Sequence, residues 1–202
     1  MAPTQPARDL PPDTIRIADL VGQLGQRIRT GRQQSELKAV EWEALRFLAR
    51  ANRFSRNPGG IAAGLAITKG AASQTVAALA RLGLVLRLPD PLDGRGLALD
   101  LTNGGRRMVE ADPLMAVAAA IAALPAPALA QTAATLRAAL AGAAGHRGAG
   151  ECGTCRHFGR DAARGESAGP HRCNAVKTAI NDAETLQACV LYAASPPVRI
   201  DR

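Results

Sequence analysis

The sequence contains few aromatic side chains, few lysines and no long apolar run. Phe, Trp and Tyr make up only 2% of its 202 residues, so the core must be built from aliphatic side chains, which favours closely packed helices. The longest apolar segment, Ala116 to Leu124, is much shorter than the roughly 18 residues of a membrane span, and the N-terminal residues lack the apolar centre of a signal peptide. We therefore expect a mainly helical, soluble, cytoplasmic protein with no membrane partner.

Cysteine is absent from the first 151 residues, and all four cysteines follow in the last quarter of the chain. A cysteine cluster in a reducing compartment indicates metal binding or redox chemistry before it indicates disulfides. The sequence also lacks a nucleophile with a nearby base, paired carboxylates or a phosphate-binding loop, and Ser73 and His146 have no evident partners. We therefore expect a protein that is not an enzyme.

Positive charge is concentrated in the middle of the chain. The formal net charge is +8, and 22 of the 25 basic residues are arginine. Residues 44–107 contain ten basic residues and three acidic ones, whereas residues 143–202 contain eight and six. This distribution favours a polyanionic partner that binds the middle segment.

Helical periodicity dominates the first part of the chain, after a proline-rich arm of about a dozen residues. Four helices are predicted: one of about 16 residues from Asp13, one from the cap Ser35 to near Asn52, one from Pro58 to Ala66, and one from Lys69 to Leu82 with Thr68 as its N-cap.

The apolar period then changes to that of β-structure. Residues 84–87 and 96–101 read as two strands around a turn rich in proline and aspartate. Thr102 is predicted to cap a further helix, which Pro113 bends, and an alanine-rich helix is expected over residues 129–141. Two short helices followed by a hairpin predict a winged helix-turn-helix, in which the second helix enters the major groove of DNA and the hairpin reaches the neighbouring backbone or minor groove.

Residues 35–112 resemble the MarR family of bacterial repressors. The resemblance rests on Leu37, Glu41-Trp42 and Leu45, on the segment from Ile67 to Leu79 that closes with Leu82-Gly-Leu-Val85, on the wing from Arg87 to Arg95, and on its exit from Leu101 to Gly105. The wing, with its Asp-x-x-Asp-x-Arg pattern, is the most diagnostic part.

The resemblance implies a DNA-binding residue set. Lys69, Gly70, Ser73 and Gln74 would face the major groove after Thr68, where glutamine can bind adenine and lysine can donate to guanine. Arg95 would enter the minor groove, held by Asp90 or Asp93, and Arg81 and Arg87 would contact phosphates. The family also dimerises through its terminal helices, here 13–29 and 113–141, so the resemblance implies a homodimer on a pseudo-palindromic operator in double-stranded DNA.

These observations divide the chain into four segments. We expect a flexible arm over 1–12, a MarR-like winged helix-turn-helix with dimerisation helices over 13–142 (DNA-binding core 35–112), a linker over 143–150, and a separate four-cysteine module over 151–202. The fold class is thus mainly α with a small β-hairpin wing.

The four cysteines have the spacing Cys152-x2-Cys155-x17-Cys173-x15-Cys189. The Cys-x2-Cys pair lets two thiolates bind one centre from a single turn, and the later thiolates complete a set of four. One close pair followed by two isolated cysteines favours a [4Fe-4S] cluster over zinc, which commonly uses two such pairs. Phe158, Val176, Val190 and Leu191 could shield a cluster, and His157 and His171 are expected to lie beside the ligands.

Three functional hypotheses follow. The leading one is a transcription regulator, a repressor, whose DNA affinity responds to a cluster that senses redox or iron state by rearranging the dimerisation arms. The second keeps DNA binding but assigns a structural zinc site and a small-molecule effector. The third is an iron-sulfur electron-transfer protein whose winged domain docks a protein partner.

Overall fold

The computed structural model describes residues 10–31, 36–90, 96–142, 149–163 and 165–194, and it is mainly helical with two small antiparallel sheets. The helices are α1 Pro12–Thr30, α2 Ala39–Arg50, α3 Pro58–Leu65, α4 Lys69–Arg81, α5 Asn103–Glu110, α6 Pro113–Ala122, α7 Ala126–Gly142 and α8 Asp182–Thr185. The strands are β1 Val85–Pro89, β2 Leu97–Leu101, β3 Phe158–Gly159, β4 His171–Cys173 and β5 Thr178–Ile180. The predicted fold class is confirmed.

The chain packs as two compact units. One comprises Met1–Glu36 with Glu110–Leu140, and the other comprises Leu37–Val109 with Ala141–Arg202. The winged helix and the four-cysteine segment therefore share a unit. This grouping differs from the predicted division, which joined the terminal helices to the winged helix and separated the cysteines. No helix in the described ranges has both the length and the apolar character of a membrane span.

Side-chain caps set the beginnings of the helices in the winged helix-turn-helix. The Lys38 backbone N–H donates to the Glu41 carboxylate at 2.8 Å ahead of α2. Asn57 Oδ1 accepts from the Gly60 N–H at 2.8 Å, and Thr68 Oγ1 accepts from the Ala71 N–H at 3.1 Å. Each bond satisfies an N–H that the first helical turn cannot pair. Thr68 is confirmed as a predicted cap, whereas the cap at Asn57 was not predicted. Ser35 lies outside the described residues.

The wing is the antiparallel pair β1–β2, in register from Val85 opposite Leu101 to Pro89 opposite Leu97. Gly83 ends the turn after α4 with φ +67, a conformation that glycine adopts without steric cost. Thr102 closes the base of the wing, because its hydroxyl donates to the Gly83 carbonyl at 2.7 Å and accepts from the Gly105 N–H at 3.0 Å.

An aliphatic core joins α2, α3, α4 and the wing. Trp42 is also buried. The core residues are Ala44, Leu45, Phe47, Leu48, Ala51, Ile61, Ala62, Ala72, Val76, Leu79, Leu84, Val85, Leu99 and Leu101. With a single phenylalanine among them, small alanine side chains let the helices approach closely, as the composition predicts.

Three predicted helix boundaries differ from the structure. Helix α2 was expected to begin after a cap at Ser35, but it begins at Ala39 with Lys38 as its N-cap, because the Glu41 carboxylate pairs with the Lys38 N–H. Pro113 was expected to bend one long helix, but α5 ends at Glu110 and α6 begins at Pro113. The physical reason is the Asp112-Pro113 pair: the Asp112 carboxylate accepts from the Leu114 N–H at 2.8 Å, and a proline in the first turn needs no partner for an N–H. For the same reason α7 starts at Ala126, ahead of Pro127, instead of at residue 129.

The terminal helices leave a large apolar surface exposed. On α1, Ile15, Ile17, Leu20, Val21 and Leu24 are each between 42% and 57% exposed. Met115, Ile121, Leu124, Leu136 and Leu140 are exposed on or beside α6 and α7. An apolar surface of this extent is typical of an interaction face.

Candidate DNA-binding surface and four-cysteine site

Helix α4 separates a buried face from an exposed polar face. Ala72, Thr75, Val76 and Leu79 are buried against the core. The predicted groove-facing residues Lys69, Gly70, Ser73 and Gln74 are all exposed, and so is Arg81, a predicted phosphate contact. Residues seven apart lie two turns from each other on one helix face, so Gln74 and Arg81 share a face with Ala77 and Ala78 between them.

The wing places one predicted phosphate contact on its outer side. Arg87 is exposed on β1 opposite Leu99 of β2. The Asp90 N–H donates to the Gly96 carbonyl at 3.1 Å, which closes the hairpin below its tip. Arg95 and Asp93 lie outside the described residues, so their roles stay predictions.

The base of the wing is braced by ion pairs. The Asp100 carboxylate accepts from Arg106 at 3.1 Å and from Arg56 at 3.4 Å. The Leu99 N–H of β2 donates to the Arg56 carbonyl at 2.7 Å. The segment between α2 and α3 is thus bonded to the wing, a connection that the sequence did not predict.

All four cysteines line one cavity. Its other lining residues are Asn52, Phe54, Glu151, His157, Phe158, Ile180, Glu184, Leu191 and Tyr192. The cysteines reach it from separate pieces of local structure, because the second sheet folds the intervening chain back on itself. The structure therefore brings together the four residues that the spacing selected.

Each cysteine is positioned by backbone hydrogen bonds. Cys152 begins a 3-10 turn, in which its carbonyl accepts from the Cys155 N–H at 2.9 Å. Cys173 pairs with Phe158 across the sheet. Cys189 and Gly150 exchange two backbone hydrogen bonds of 2.9 and 3.1 Å.

The four thiols are free, and they interact electrostatically. Burial raises the pKa of Cys152 to about 11, and the neighbouring Cys189, Cys173 and Cys155 add to this rise, followed by Glu184. A metal centre binds thiolates, so binding would release protons from such a set. No three His, Cys, Asp or Glu side chains in the described ranges are placed to hold one metal ion, although the four cysteines surround a common space.

The two histidines near the cysteines have different surroundings. His157 lines the cavity. His171 is buried and bonded at both nitrogens: Nδ1 accepts from the Asp161 N–H at 3.1 Å, and Nε2 lies 2.9 Å from the Asp182 carboxylate. Because Nδ1 is an acceptor, Nε2 carries the proton and donates to Asp182. His171 therefore supports the segment around Cys173 and does not face the cavity.

Several residues of the cavity were not found by sequence reasoning. Of the four proposed shielding residues, Phe158 and Leu191 line it and Val176 and Val190 do not. Asn52 and Phe54 come from the winged helix, more than 95 residues before Cys152. No sequence signal identifies Asn52 and Phe54 as cavity residues. They lie between α2 and α3 and line the cavity only because the four-cysteine segment packs against them.

Two helices joined by a tight turn and followed by an antiparallel hairpin define the class: this unit contains a winged helix-turn-helix. Residues 35–96 match the model of the MarR family. The matched residues include the whole of α2, α3, α4 and β1. No curated protein sequence matches the chain.

Several solved structures are similar to the chain. S. aureus MepR bound to ethidium bromide is 20% identical, with a TM-score of 0.46 over 67% of this chain and 98% of that one. CouR from Rhodococcus jostii RHA1 bound to p-coumaroyl-CoA is 21% identical, with a TM-score of 0.48 over 66% and 94%. The Multiple Antibiotic Resistance Repressor, MarR, is 21% identical, with a TM-score of 0.47 over 66% and 98%.

Proposed function

We propose that this protein is a DNA-binding transcription regulator of the MarR type, acting as a repressor. The observation that carries the proposal is the exposed polar edge of α4 beside a hairpin wing, within a segment that matches the MarR family model. The concentration of positive charge between residues 44 and 107 supports the same partner. Regulators of this kind perform no chemistry on DNA, which agrees with the absence of catalytic motifs from the sequence.

The DNA contacts divide into two kinds. Thr68, Lys69, Gly70, Ser73 and Gln74 lie at the exposed N-terminal part of α4, where side chains reach base edges in the major groove. Arg81, Arg87 and Arg95 contact phosphate or the minor groove, with Asp90 and Asp93 supporting the wing. Contacts to phosphate set affinity and salt dependence, and contacts to base edges set sequence preference.

The functional unit is a homodimer. The exposed apolar residues of α1, α6 and α7 support this proposal, because a second copy of the chain would bury them. Two symmetric subunits present two copies of α4, and the matching operator is pseudo-palindromic with half-sites about one helical turn apart.

The four cysteines bind a [4Fe-4S] cluster. Four free thiols around one cavity with apolar walls fit the donor set and the shielding that such a cluster requires. A [4Fe-4S] cluster takes one thiolate on each of its four irons, which matches the number of cysteines that line the cavity. When bound, the cluster supplies a centre whose charge changes with oxidation, and Cys152, Cys155, Cys173 and Cys189 hold it against the winged helix.

Zinc is the second candidate. The cavity is small, about 20 Å³, and four thiolates are an ordinary zinc donor set. In that case a small molecule would be the signal. A groove of about 580 Å³ between α1 and α6, apolar except for Arg27, is of suitable size and would select an apolar anion.

The decisive experiment is metal and sulfide analysis of protein purified without oxygen, followed by operator binding before and after removal of the bound group. We expect iron and inorganic sulfide in equal amounts, a visible absorption band, and weaker binding of the upstream DNA after removal. Stoichiometric zinc in a colourless sample would contradict the cluster assignment. A cluster in a protein that binds no DNA would favour electron transfer instead.

A further inference from the structure

The connection between α2 and α3, residues 51–57, is buried to an unusual degree for a loop. Ser55 is fully buried and Asn52 is 3% exposed, whereas connections normally run over the surface because their polar groups need partners. The backbone and side-chain polar groups of residues 51–57 find hydrogen-bond partners in the four-cysteine segment and in the wing. We call residues 51–57 the α2–α3 connection.

The residues on both sides of Cys189 are hydrogen-bonded to this connection and to the last residue of α2. The Ala188 N–H donates to the Arg50 carbonyl at 2.8 Å, and the Ala188 carbonyl accepts from the Asn52 N–H at 2.9 Å. The Val190 N–H donates to Ser55 Oγ at 3.0 Å. Cys189 therefore cannot change its backbone position without disturbing bonds to the connection.

Side chains of the connection strengthen this attachment. Arg53 Nε lies 3.1 Å from the Glu184 carboxylate, and another Arg53 nitrogen donates to the Ala179 carbonyl at 2.7 Å. Phe54 and Asn52 line the cavity beside the cysteines. The connection thus forms part of the wall of the four-cysteine site.

The opposite side of the connection contacts the wing and the start of α3. The Arg56 carbonyl accepts from the Leu99 N–H of the wing at 2.7 Å, and the Arg56 side chain pairs with Asp100 at 3.4 Å. On the side of α3, Gly60 packs directly against Ser55. The approach is so close that a Cβ atom added to Gly60 would lie 1.9 Å from the Ser55 carbonyl oxygen. A shift of Ser55 would therefore move the start of α3 and the base of the wing together.

We propose that Ser55 is a positioning residue that couples the four-cysteine site to the winged helix within one subunit. The route is Cys189 to Val190, to Ser55, to Arg56, and from there to the wing and α3. It rests on the proposed function, which assigns a bound group to the cysteines. This coupling does not require the dimerisation helices to rearrange, which is the mechanism that the sequence suggested.

The test compares Ser55→Ala with Thr102→Ala by hydrogen exchange of the full chain, with the site filled by iron and sulfide or by Zn²⁺ and then stripped. Ser55→Ala removes the acceptor for Val190. Thr102→Ala removes a hydroxyl that makes two hydrogen bonds at the base of the wing, to Gly83 and Gly105, which lie outside the cysteine segment. It therefore controls for general loosening of the winged helix.

In the unaltered protein, stripping should speed exchange of the amides in 52–61 and 97–101 by about tenfold, the effect of losing one buried hydrogen bond. In Ser55→Ala, the amides of residues 97–101 should already exchange fast when the site is filled. Their exchange rates in filled and stripped protein should differ by less than threefold. In Thr102→Ala, the full dependence should remain, even if all rates rise. The ratio of operator affinities between filled and stripped protein should follow the same pattern.

Equal dependence on filling in Ser55→Ala and the unaltered protein would overturn the proposal, as would exchange in 97–101 that responds to neither iron and sulfide nor Zn²⁺. The exchange measurement requires no DNA. A protein that failed to bind DNA but showed the expected exchange would therefore contradict the proposed function and leave the coupling through Ser55 supported.

Discussion

At the scale of single residues, the proposed DNA-binding surface combines side chains with different proposed contacts. Gln74 lies toward the N-terminal end of α4 with an exposed amide, whose donor and acceptor can pair with one adenine. Arg87 lies on the outer side of the wing, where its guanidinium is suited to phosphate oxygens, which every DNA sequence presents. Their substitution should therefore have different consequences.

Gln74→Ala should lower the affinity for the preferred operator by about 1–3 kcal/mol and relax base preference at one position per half-site, because a base contact is lost.

Arg87→Ala should weaken binding to all sequences and reduce the dependence of log K on log salt by about one unit, because one phosphate contact is lost. Fluorescence anisotropy against a duplex panel at several salt concentrations measures both.

Arg16→Ala is the matched control for charge, since Arg16 is an exposed arginine on α1, 80% accessible and outside the winged helix. It should change neither base preference nor salt dependence. Identical profiles for Gln74→Ala and Arg87→Ala would contradict the division into base and phosphate contacts.

At the scale of secondary-structure elements, α4 depends on local bonds as well as on core packing. Thr68 Oγ1 is the side-chain acceptor for its first turn, through the Ala71 N–H. Four residues bury the inner face, and two of them, Ala72 and Thr75, are small or polar. The cap therefore supplies a meaningful share of the stability of this helix.

Thr68→Ala should lower the free energy of unfolding by about 1 kcal/mol, because the Ala71 N–H loses its acceptor at an exposed position where water replaces it in part. Thr68→Ser should retain most of the stability, since serine supplies the same oxygen. Urea unfolding followed by circular dichroism gives both values. Equal losses in the alanine and serine variants would indicate that the threonine methyl group, not the cap, stabilises the helix.

At the scale of the whole molecule, the terminal helices and the residues beside them carry most of the exposed large apolar side chains in the described part of the chain. Leu20 on α1 is 52% exposed and has apolar neighbours one helical turn away, such as Leu24. Leu186 is also exposed, at 75%, but it lies in the four-cysteine segment and not on the terminal helices. These two leucines allow a direct comparison of the proposed dimer surface with an ordinary exposed residue.

Leu20→Glu should convert the proposed homodimer to a monomer at micromolar concentration, because each subunit would place a carboxylate in an apolar interface. Operator affinity should fall by more than tenfold, since a monomer reaches one half-site. Leu186→Glu should leave both properties unchanged. Analytical ultracentrifugation checks the mass, and a dimeric Leu20→Glu protein would exclude α1 from the interface.

The sequence alone determined the features that depend on near neighbours along the chain. Helix beginnings at Pro58 and Thr68, the end of α4 before Gly83, and the hairpin all follow from local hydrogen bonds and backbone preferences, and the structure agrees with them. The selection of four cysteines by spacing is of the same kind, because a close pair and two isolated thiols can be recognised without knowing where they meet.

Only the tertiary structure decided which distant segments of the chain pack against each other. Cys189 and Ser55 are separated by more than 130 residues, yet Ser55 Oγ accepts from the peptide that follows Cys189. No periodicity or capping rule connects such segments, because the backbone of the cysteine segment can pair with any exposed donor or acceptor of suitable geometry. The joint packing of the four-cysteine segment and the winged helix depends on long-range burial, which a single sequence does not display.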